Sequence, residues 1–219
     1  MNETRRAGYY PLFLDLNGRP CKVIGAGKVA WRKVEGLLDA GARVEVISPS
    51  AVPEMENLAH QGLINLIRRE YREGDLEGAF LVIGATSERP VNAAVFCEAE
   101  SRSVLVNIVD DPQYCNFILS SVLKRGDFQL AISTGGASPV LSRRVREKLE
   151  KLFPEHYTRV IDCLAALRDK LKAELPDESS RRKFWESFID LDFFASLEGE
   201  DIENAIKQRT TECLSRLAD

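Results

Sequence analysis

The sequence predicts an α/β protein: a Rossmann-type parallel sheet, then a small α+β domain, then a helical C-terminal domain. Three observations carry this. A glycine turn, Gly25-Ala-Gly27-Lys28-Val29-Ala30, stands between a short apolar run and a stretch of helical periodicity. Apolar strand-length runs then alternate with helical ones as far as Val109. From His156 onward the periodicity is helical throughout. These changes set the expected domains at 1–113, 114–153 and 154–219.

The elements follow in order. Pro11-Leu-Phe-Leu-Asp-Leu reads as a strand or extended lead-in, and Asn17-Gly18 as a tight turn. Cys21-Lys-Val-Ile is a short strand ending at Gly25. Val29, Val34, Leu37 and Leu38 recur at helical spacing, and Gly41 stands where a C-cap glycine ends a helix. Arg43-Val-Glu-Val-Ile is the next strand, stopped at Ser48-Pro49. Leu58 to Gly62 reads as a short helix, Ile64 to Arg68 as a strand, and Asn92 to Ser101 as a helix. Phe80 to Ala85 is apolar throughout, the pattern of a strand buried on both faces. Val104 to Val109 is a further strand. Strands alternating with helices imply a parallel sheet with crossover helices. Such sheets bind ligands at the carboxyl ends of their strands, where Gly25, Ser48, Ala85-Thr86 and Asp110 all fall.

After Pro112 the pattern changes. Phe117 to Val122 and Phe128 to Ser133 read as two strands separated by Lys124-Arg-Gly-Asp. Thr134-Gly135-Gly136-Ala-Ser138-Pro139 is a turn into a helix, with Ser138 as N-cap and Pro139 at the first helical position. In the tail, Val160, Leu164, Leu167 and Leu171 make one apolar stripe. Phe184, Phe188 and Leu191, then Ile202, Ile206, Leu214 and Leu217, make others.

Composition narrows the function classes. The 219 residues are 44% hydrophobic and 29% charged, an ordinary globular balance with enough apolar material for a core without staples. The net charge of −4 argues against nucleic acid as a partner. No apolar run approaches the roughly 20 residues of a membrane span, and the first ten residues lack the apolar core of a signal peptide. Five scattered cysteines without a C-x-x-C fit a reducing, cytoplasmic setting, with Cys21, Cys97 and Cys115 as packing residues. Two histidines, His60 in a polar turn and His156 near a helix start, leave little material for a metal site or a Ser-His-Asp triad.

In the glycine turn, Gly25 permits the tight turn, Gly27 lets the backbone approach a pyrophosphate, and Ala30 lets helix and strand pack closely. The flanking strand and helix supply the context that makes the motif a dinucleotide signal rather than a structural turn. The carboxylate expected about 20 residues on to hold the ribose is missing, and Ser48-Pro49-Ser50 occupies that tip. Serine can bond a ribose hydroxyl, which favours NAD and leaves NADP open. Asp110 and Asp111 end the last strand. Asp111 reads as turn chemistry before Pro112. Asp110 has two readings, a turn residue or a partly desolvated carboxylate with a raised pKa that accepts a proton. The helix with Arg143, Arg144, Arg146 and Lys148 also has two: a solvated charged face, or an anion site for a polycarboxylate with Thr134 and Ser138 adding donors.

Several motifs in order resemble the precorrin-2 dehydrogenase / sirohydrochlorin ferrochelatase family, the N-terminal module of sirohaem synthase. They are Tyr10-Pro-Leu-Phe-Leu, Val23-Ile-Gly-Ala-Gly-Lys-Val-Ala-Trp-Arg32-Lys33, Leu37-Leu-x-Ala-Gly-Ala-x-Val, Val106-Asn-Ile-Val-Asp110 and Ser133-Thr-Gly-Gly-Ala-Ser-Pro-Val-Leu-Ser-Arg143. The similarity runs from about residue 9 to about residue 155, and the tail resembles the family's variable C-terminal region.

The resemblance implies NAD-dependent dehydrogenation of a tetrapyrrole, precorrin-2, to sirohydrochlorin, with ferrous-iron insertion as well in some relatives. It implies a cytoplasmic homodimer, with 114–153 as the dimerisation domain, and no resident metal. It places the catalytic aspartate on Asp110. It places cofactor contacts on Gly25, Gly27, Lys28, Val29, Pro49 and Ser50, to which the strand-end positions add Ser48, Ala85 and Thr86; the expected substrate contacts are Asn107, Thr134, Gly135, Ser138 and Arg143. Family members manage without the second-strand carboxylate, so its absence fits. Where one relative carries a modified serine, this chain has Thr134. A nucleotide-sensing regulatory domain uses the same turn and needs no strand-end aspartate; turnover distinguishes the two.

Overall fold

The structure is a computed structural model and describes residues 8–197 and 199–218. The chain divides into two compact units, one up to Leu119 and one from Ser120.

The first unit is a five-stranded parallel sheet. Strands β1 (Pro20–Ile24), β2 (Arg43–Ile47), β3 (Ile64–Ile67), β4 (Leu81–Gly84) and β5 (Leu105–Ile108) lie in the order β3-β2-β1-β4-β5. Helices α1 (Lys28–Asp39), α2 (Pro53–His60) and α3 (Arg89–Ser101) make the crossovers. This is the Rossmann order, with its switch point between β1 and β4. Val23 pairs with Val46 on one side and Ile83 on the other, and Val82 pairs with Val106. All five are buried, as the apolar run at 80–85 predicts, and each such burial contributes about 1.5–3 kcal/mol. Helix α1 buries Ala30, Val34 and Leu37 and ends at Gly41, whose φ of +74° suits glycine. There the Gly41 amide donates to Leu38 O (2.8 Å) and the Ala42 amide to Leu37 O (3.0 Å).

The segment between β3 and β4 is braced by charge. Arg69 donates to both carboxylate oxygens of Asp75 at 2.7 Å. Glu98 on α3 accepts from the Gly74 amide (3.1 Å), the Leu76 amide (3.3 Å), Arg102 Nε (2.8 Å) and the Tyr71 hydroxyl. Burial alone would raise the Glu98 carboxyl; the hydroxyl and amide donors outweigh it and hold it below the usual carboxylate range.

The second unit pairs a hairpin with helices. Strands β6 (Ser121–Arg125) and β7 (Phe128–Ile132) are antiparallel around the Gly126-Asp127 turn, and α4 (Pro139–Leu152) packs on both. Helices α5 (Tyr157–Glu174), α6 (Glu178–Phe188), α7 (Leu191–Ser196) and α8 (Ile202–Ala218) follow. Their core gathers Val160, Leu167, Leu171, Phe184, Phe188, Ile202 and Ile206, the residues of the predicted stripes. Leu191 is 60% exposed and stands outside that core.

Several expectations are corrected. Of the two readings of residues 11–16, strand or lead-in, the strand is absent: Pro11 has no amide to donate, and Asp15 accepts from the Asn17 amide (3.0 Å). Helix α2 starts at Pro53, five residues before the predicted start, because proline suits the first turn of a helix; α3 likewise starts at Arg89. His60 is exposed as expected but closes α2 rather than sitting in a turn. β6 begins at Ser121, so Lys124 and Arg125 belong to a strand, and residues 117–120 lie outside any strand. Cys97 is exposed rather than packed.

Candidate active site

The site grows from the crossing of β1 and β4. Gly25 has φ +104°, and its amide donates to Ile47 O (2.9 Å) while the Ala85 amide donates to Ile24 O (2.8 Å). A Cβ at Gly25 would lie 2.5 Å from Ala85 O, so only glycine fits. Gly27 differs. Its φ is −79°, it is the N-cap of α1, and a Cβ there would meet nothing within 4 Å. That open space lies at a helix start with no side-chain cap, where the first amides lack intrahelical partners. Lys28 and Val29 are the exposed residues of this turn, and Ala30 is fully buried as its packing role requires. The backbone therefore fits a nucleotide pyrophosphate.

At the tip of β2, Ser48 is buried and its hydroxyl donates to Ser50 O (2.7 Å). That hydroxyl is engaged within the tip, whose exposed residues are Pro49 and Ser50. The Val52 amide, donating to Ala26 O (3.0 Å), ties this loop to the glycine turn.

An open crevice of about 350 Å³ lies beside the turn, walled by Val29 of α1, by Ala85, Thr86 and Ser87 after β4, by Arg89 and Asn92 of α3, and by Val109, Asp110 and Asp111 after β5. Asn92, nearly buried, fixes one wall: its side-chain amide donates to Thr86 O (3.1 Å) and its oxygen accepts from the Thr86 hydroxyl (2.9 Å). Asp110 has φ +59°, a left-handed conformation that aspartate adopts uncommonly. It is exposed, which corrects the expectation of a partly desolvated carboxylate: the backbone leaves the sheet after Ile108 and carries Asp110 to the crevice surface. Asp111 sits at the N-cap of a short 3₁₀ turn, Pro112–Tyr114, without a side-chain capping bond, and it lines the crevice too.

Other expected contacts are engaged elsewhere. Asn107 donates its side-chain amide to Phe117 O (3.0 Å), pinning the chain after β5. In the second unit, Ser138 caps α4 by accepting from the Leu141 amide (3.2 Å), and Thr134 Oγ1 accepts from the Ser138 amide (2.9 Å). Gly135 and Gly136 both have positive φ, and the Gly135 amide donates to Ser133 Oγ (3.0 Å). Arg143 pairs with Glu147 at 3.7 Å, and Arg146 pairs with Glu150, so the basic helix carries its own acids.

Sequence reasoning passed over Lys33. It follows Val29 by four residues and is half-buried. Desolvation and neighbouring Arg32 lower its pKa, while Asp110 acts in the opposite direction. The signal was present: Val29 and Lys33 share a helix face. Among the described residues, no group of three or more His, Cys, Asp or Glu could hold a metal, and no helix is long and apolar enough to cross a membrane.

Sheet order, glycine turn and strand-end crevice together define an NAD(P)-binding Rossmann protein. Residues 12–121, half the chain, match the NAD(P)-binding family NAD_binding_7. Residues 125–152 match the sirohaem biosynthesis protein central family, and residues 156–211 the sirohaem synthase dimerisation region. The dimerisation match thus falls on the helical tail, which carries family information in its own right. The chain belongs to the NAD(P)-binding family NAD_binding_7, and its later residues match two regions found in sirohaem synthases. It is 42% identical over 200 residues to siroheme synthase of Mannheimia succiniciproducens, an alignment covering 91% of this chain and 42% of that one. It is 43% identical over 182 residues to siroheme synthase of Photobacterium profundum, covering 83% and 39%. The chain therefore spans about two fifths of the length of these relatives. Among solved structures it resembles SirC, precorrin-2 dehydrogenase, with a TM-score of 0.76 and 28% identity over 96% of this chain and 99% of that one.

Proposed function

We propose that this protein oxidises precorrin-2 to sirohydrochlorin with NAD. The observation that carries the reading is one crevice walled both by Val29, in the helix start that follows the glycine turn, and by a strand-end carboxylate, Asp110, that makes no hydrogen bond or ion pair among the described residues. The likeness to a precorrin-2 dehydrogenase over nearly all of both chains supports it.

In this reading the amides at Lys28 and Val29 receive the pyrophosphate, Gly25 keeps the turn tight, and the Pro49-Ser50 tip borders the ribose. Ala85 and Thr86, fixed by Asn92, form the wall beside the reacting centre. NAD, when bound, supplies the hydride acceptor. Precorrin-2 loses one hydride and one proton, and Asp110 takes the proton, its exposed carboxylate passing it on to water. The reading includes a homodimer, supported by the dimerisation-region match, and a cytoplasmic setting.

Mixing the purified chain with precorrin-2 and NAD and following NADH and sirohydrochlorin by absorbance tests this directly. Stoichiometric formation of both is expected. Nucleotide binding without turnover would identify a sensor instead.

A further inference from the structure

Among the described residues that line the crevice, Asp110 and Asp111 bring carboxylates from the chain after β5, and Arg89 alone brings a positive charge. Arg89 opens α3, and the backbone at its base is fixed. The Glu88 amide donates to Thr86 Oγ1 (3.1 Å), that hydroxyl donates to Asn92 Oδ1 (2.9 Å), and the Asn92 amide donates to Glu88 O (3.0 Å). Asn92, one helical turn on from Arg89, is nearly buried and lines the crevice from the same face of α3. The Arg89 side chain itself is exposed and makes no hydrogen bond or ion pair among the described residues. Other arginines of this unit are engaged. Arg43 donates to Gly18 O (2.9 Å), Arg69 and Arg102 hold Asp75 and Glu98 at 2.7 Å and 2.8 Å, and Arg68 pairs with Glu56. A guanidinium on a fixed base in a crevice wall, with its donors unspent, is placed to take an anion from outside the chain.

We infer that Arg89 is a substrate-binding residue: its guanidinium receives a carboxylate side chain of the tetrapyrrole and so sets which part of the macrocycle comes to Asp110. The inference deepens the proposed function and rests on its substrate. Precorrin-2 is a polycarboxylate. Entering this crevice it meets like charge from Asp110 and Asp111, and a cation in the same wall offsets that repulsion. The paired N–H groups of arginine match the two oxygens of a carboxylate, which fixes orientation as well as affinity. The other anion brought to this region is the pyrophosphate of NAD. Its seat in the proposed function is the start of α1, after β1, whereas Arg89 follows β4, the neighbouring strand on the β5 side.

The test is steady-state kinetics of the full chain at saturating NAD with precorrin-2 varied, beside binding titrations of NAD and of sirohydrochlorin. Dehydrogenation leaves the carboxylates untouched, so the product reports the same contact without turnover. Arg89→Met keeps the apolar stem and removes the charge and its donors. It is expected to raise KM for precorrin-2 and Kd for sirohydrochlorin by roughly tenfold or more, the loss of one charge-assisted pair, while NAD affinity stays within about twofold. Arg89→Lys, a point charge without the fork, should fall between. Added salt should weaken sirohydrochlorin binding more steeply in the wild-type chain than in Arg89→Met. Unchanged KM and Kd in Arg89→Met overturn the inference, as does a loss confined to NAD, which would make Arg89 a cofactor contact. Should Arg89→Met lower the melting temperature, Arg89→Gln is read by the same comparison of sirohydrochlorin with NAD affinity. A wild-type chain that binds NAD and sirohydrochlorin without oxidising precorrin-2 would instead remove the proposed function, and the Arg89 contact is then decided by the sirohydrochlorin titrations.

Discussion

The crevice of the first unit and the Thr134–Arg146 turn and helix of the second treat their polar groups in opposite ways. Around Thr134 nearly every group is engaged: Ser138 caps α4, Thr134 holds the Ser138 amide, and Arg143 and Arg146 have glutamates one turn on. In the crevice, Asp110 lacks a contact partner, and in the adjoining turn a Cβ at Gly27 would meet nothing within 4 Å. Polar groups that satisfy one another build structure, whereas groups left unmatched at a surface are available to a ligand. Sequence motifs left two readings open for Asp110 and two for the basic helix; the geometry separates the two segments.

The sharpest way to break that contrast is Asp110→Asn. Asparagine tolerates the left-handed backbone, so the fold and NAD binding should persist while turnover falls about 10²–10⁴-fold. Steady-state kinetics beside NAD titration reads both. Next come the two glycines. Gly25→Ala forces a Cβ onto Ala85 O and should lower stability by about 1–3 kcal/mol in thermal or urea unfolding. Gly27→Val sets a Cβ where nothing lies within 4 Å and has compatible φ, so it should keep the melting temperature yet weaken NAD by at least roughly tenfold. Equal NAD affinity in that variant would refute the glycine-turn assignment. Acid should act on the brace around residues 69–79. Asp75, chiefly through Arg69, and Glu98, through Tyr71 and two amides against its burial, both have depressed pKa values. Their stabilisation is full above the ordinary carboxylate pKa and is lost as pH falls below about 4. Unfolding midpoints measured from neutral to acid pH should drop there, and Glu98→Gln should flatten the drop. The smallest effects lie in the second unit. Ser138→Ala should cost about 1 kcal/mol as a lost cap, and Arg143→Ala under about 0.5 kcal/mol as an exposed pair. A rise in KM without the stability change at Ser138 would reverse the contrast.

Much of the first unit was legible because local signals agreed with tertiary needs. β2 runs from Arg43 to Ile47 as its alternating pattern states, and Gly41 ends α1 with the bonds a C-cap glycine makes. The position of Asp110 after β5 was legible too, but its exposure was not, because that depends on how the backbone leaves the sheet. β6 was displaced because Lys124 and Arg125 look like loop residues, although charged side chains are common where a strand edge meets solvent. Ser48 and Asn107 looked like ligand contacts since each is polar at or near a strand end; only the folded chain offers the Ser50 and Phe117 carbonyls that engage them.

The contact between Gly25 and Ala85 also orders events during synthesis. The glycine turn is closed from one side by Ile47 and from the other by β4, whose residues come some 60 positions after β1. Until β4 has emerged and slotted between β1 and β5, half of the scaffold for the turn does not exist. A nascent chain that ends before about residue 86 would already contain the whole fingerprint and still have no nucleotide pocket, so cofactor capture can report completion of the sheet.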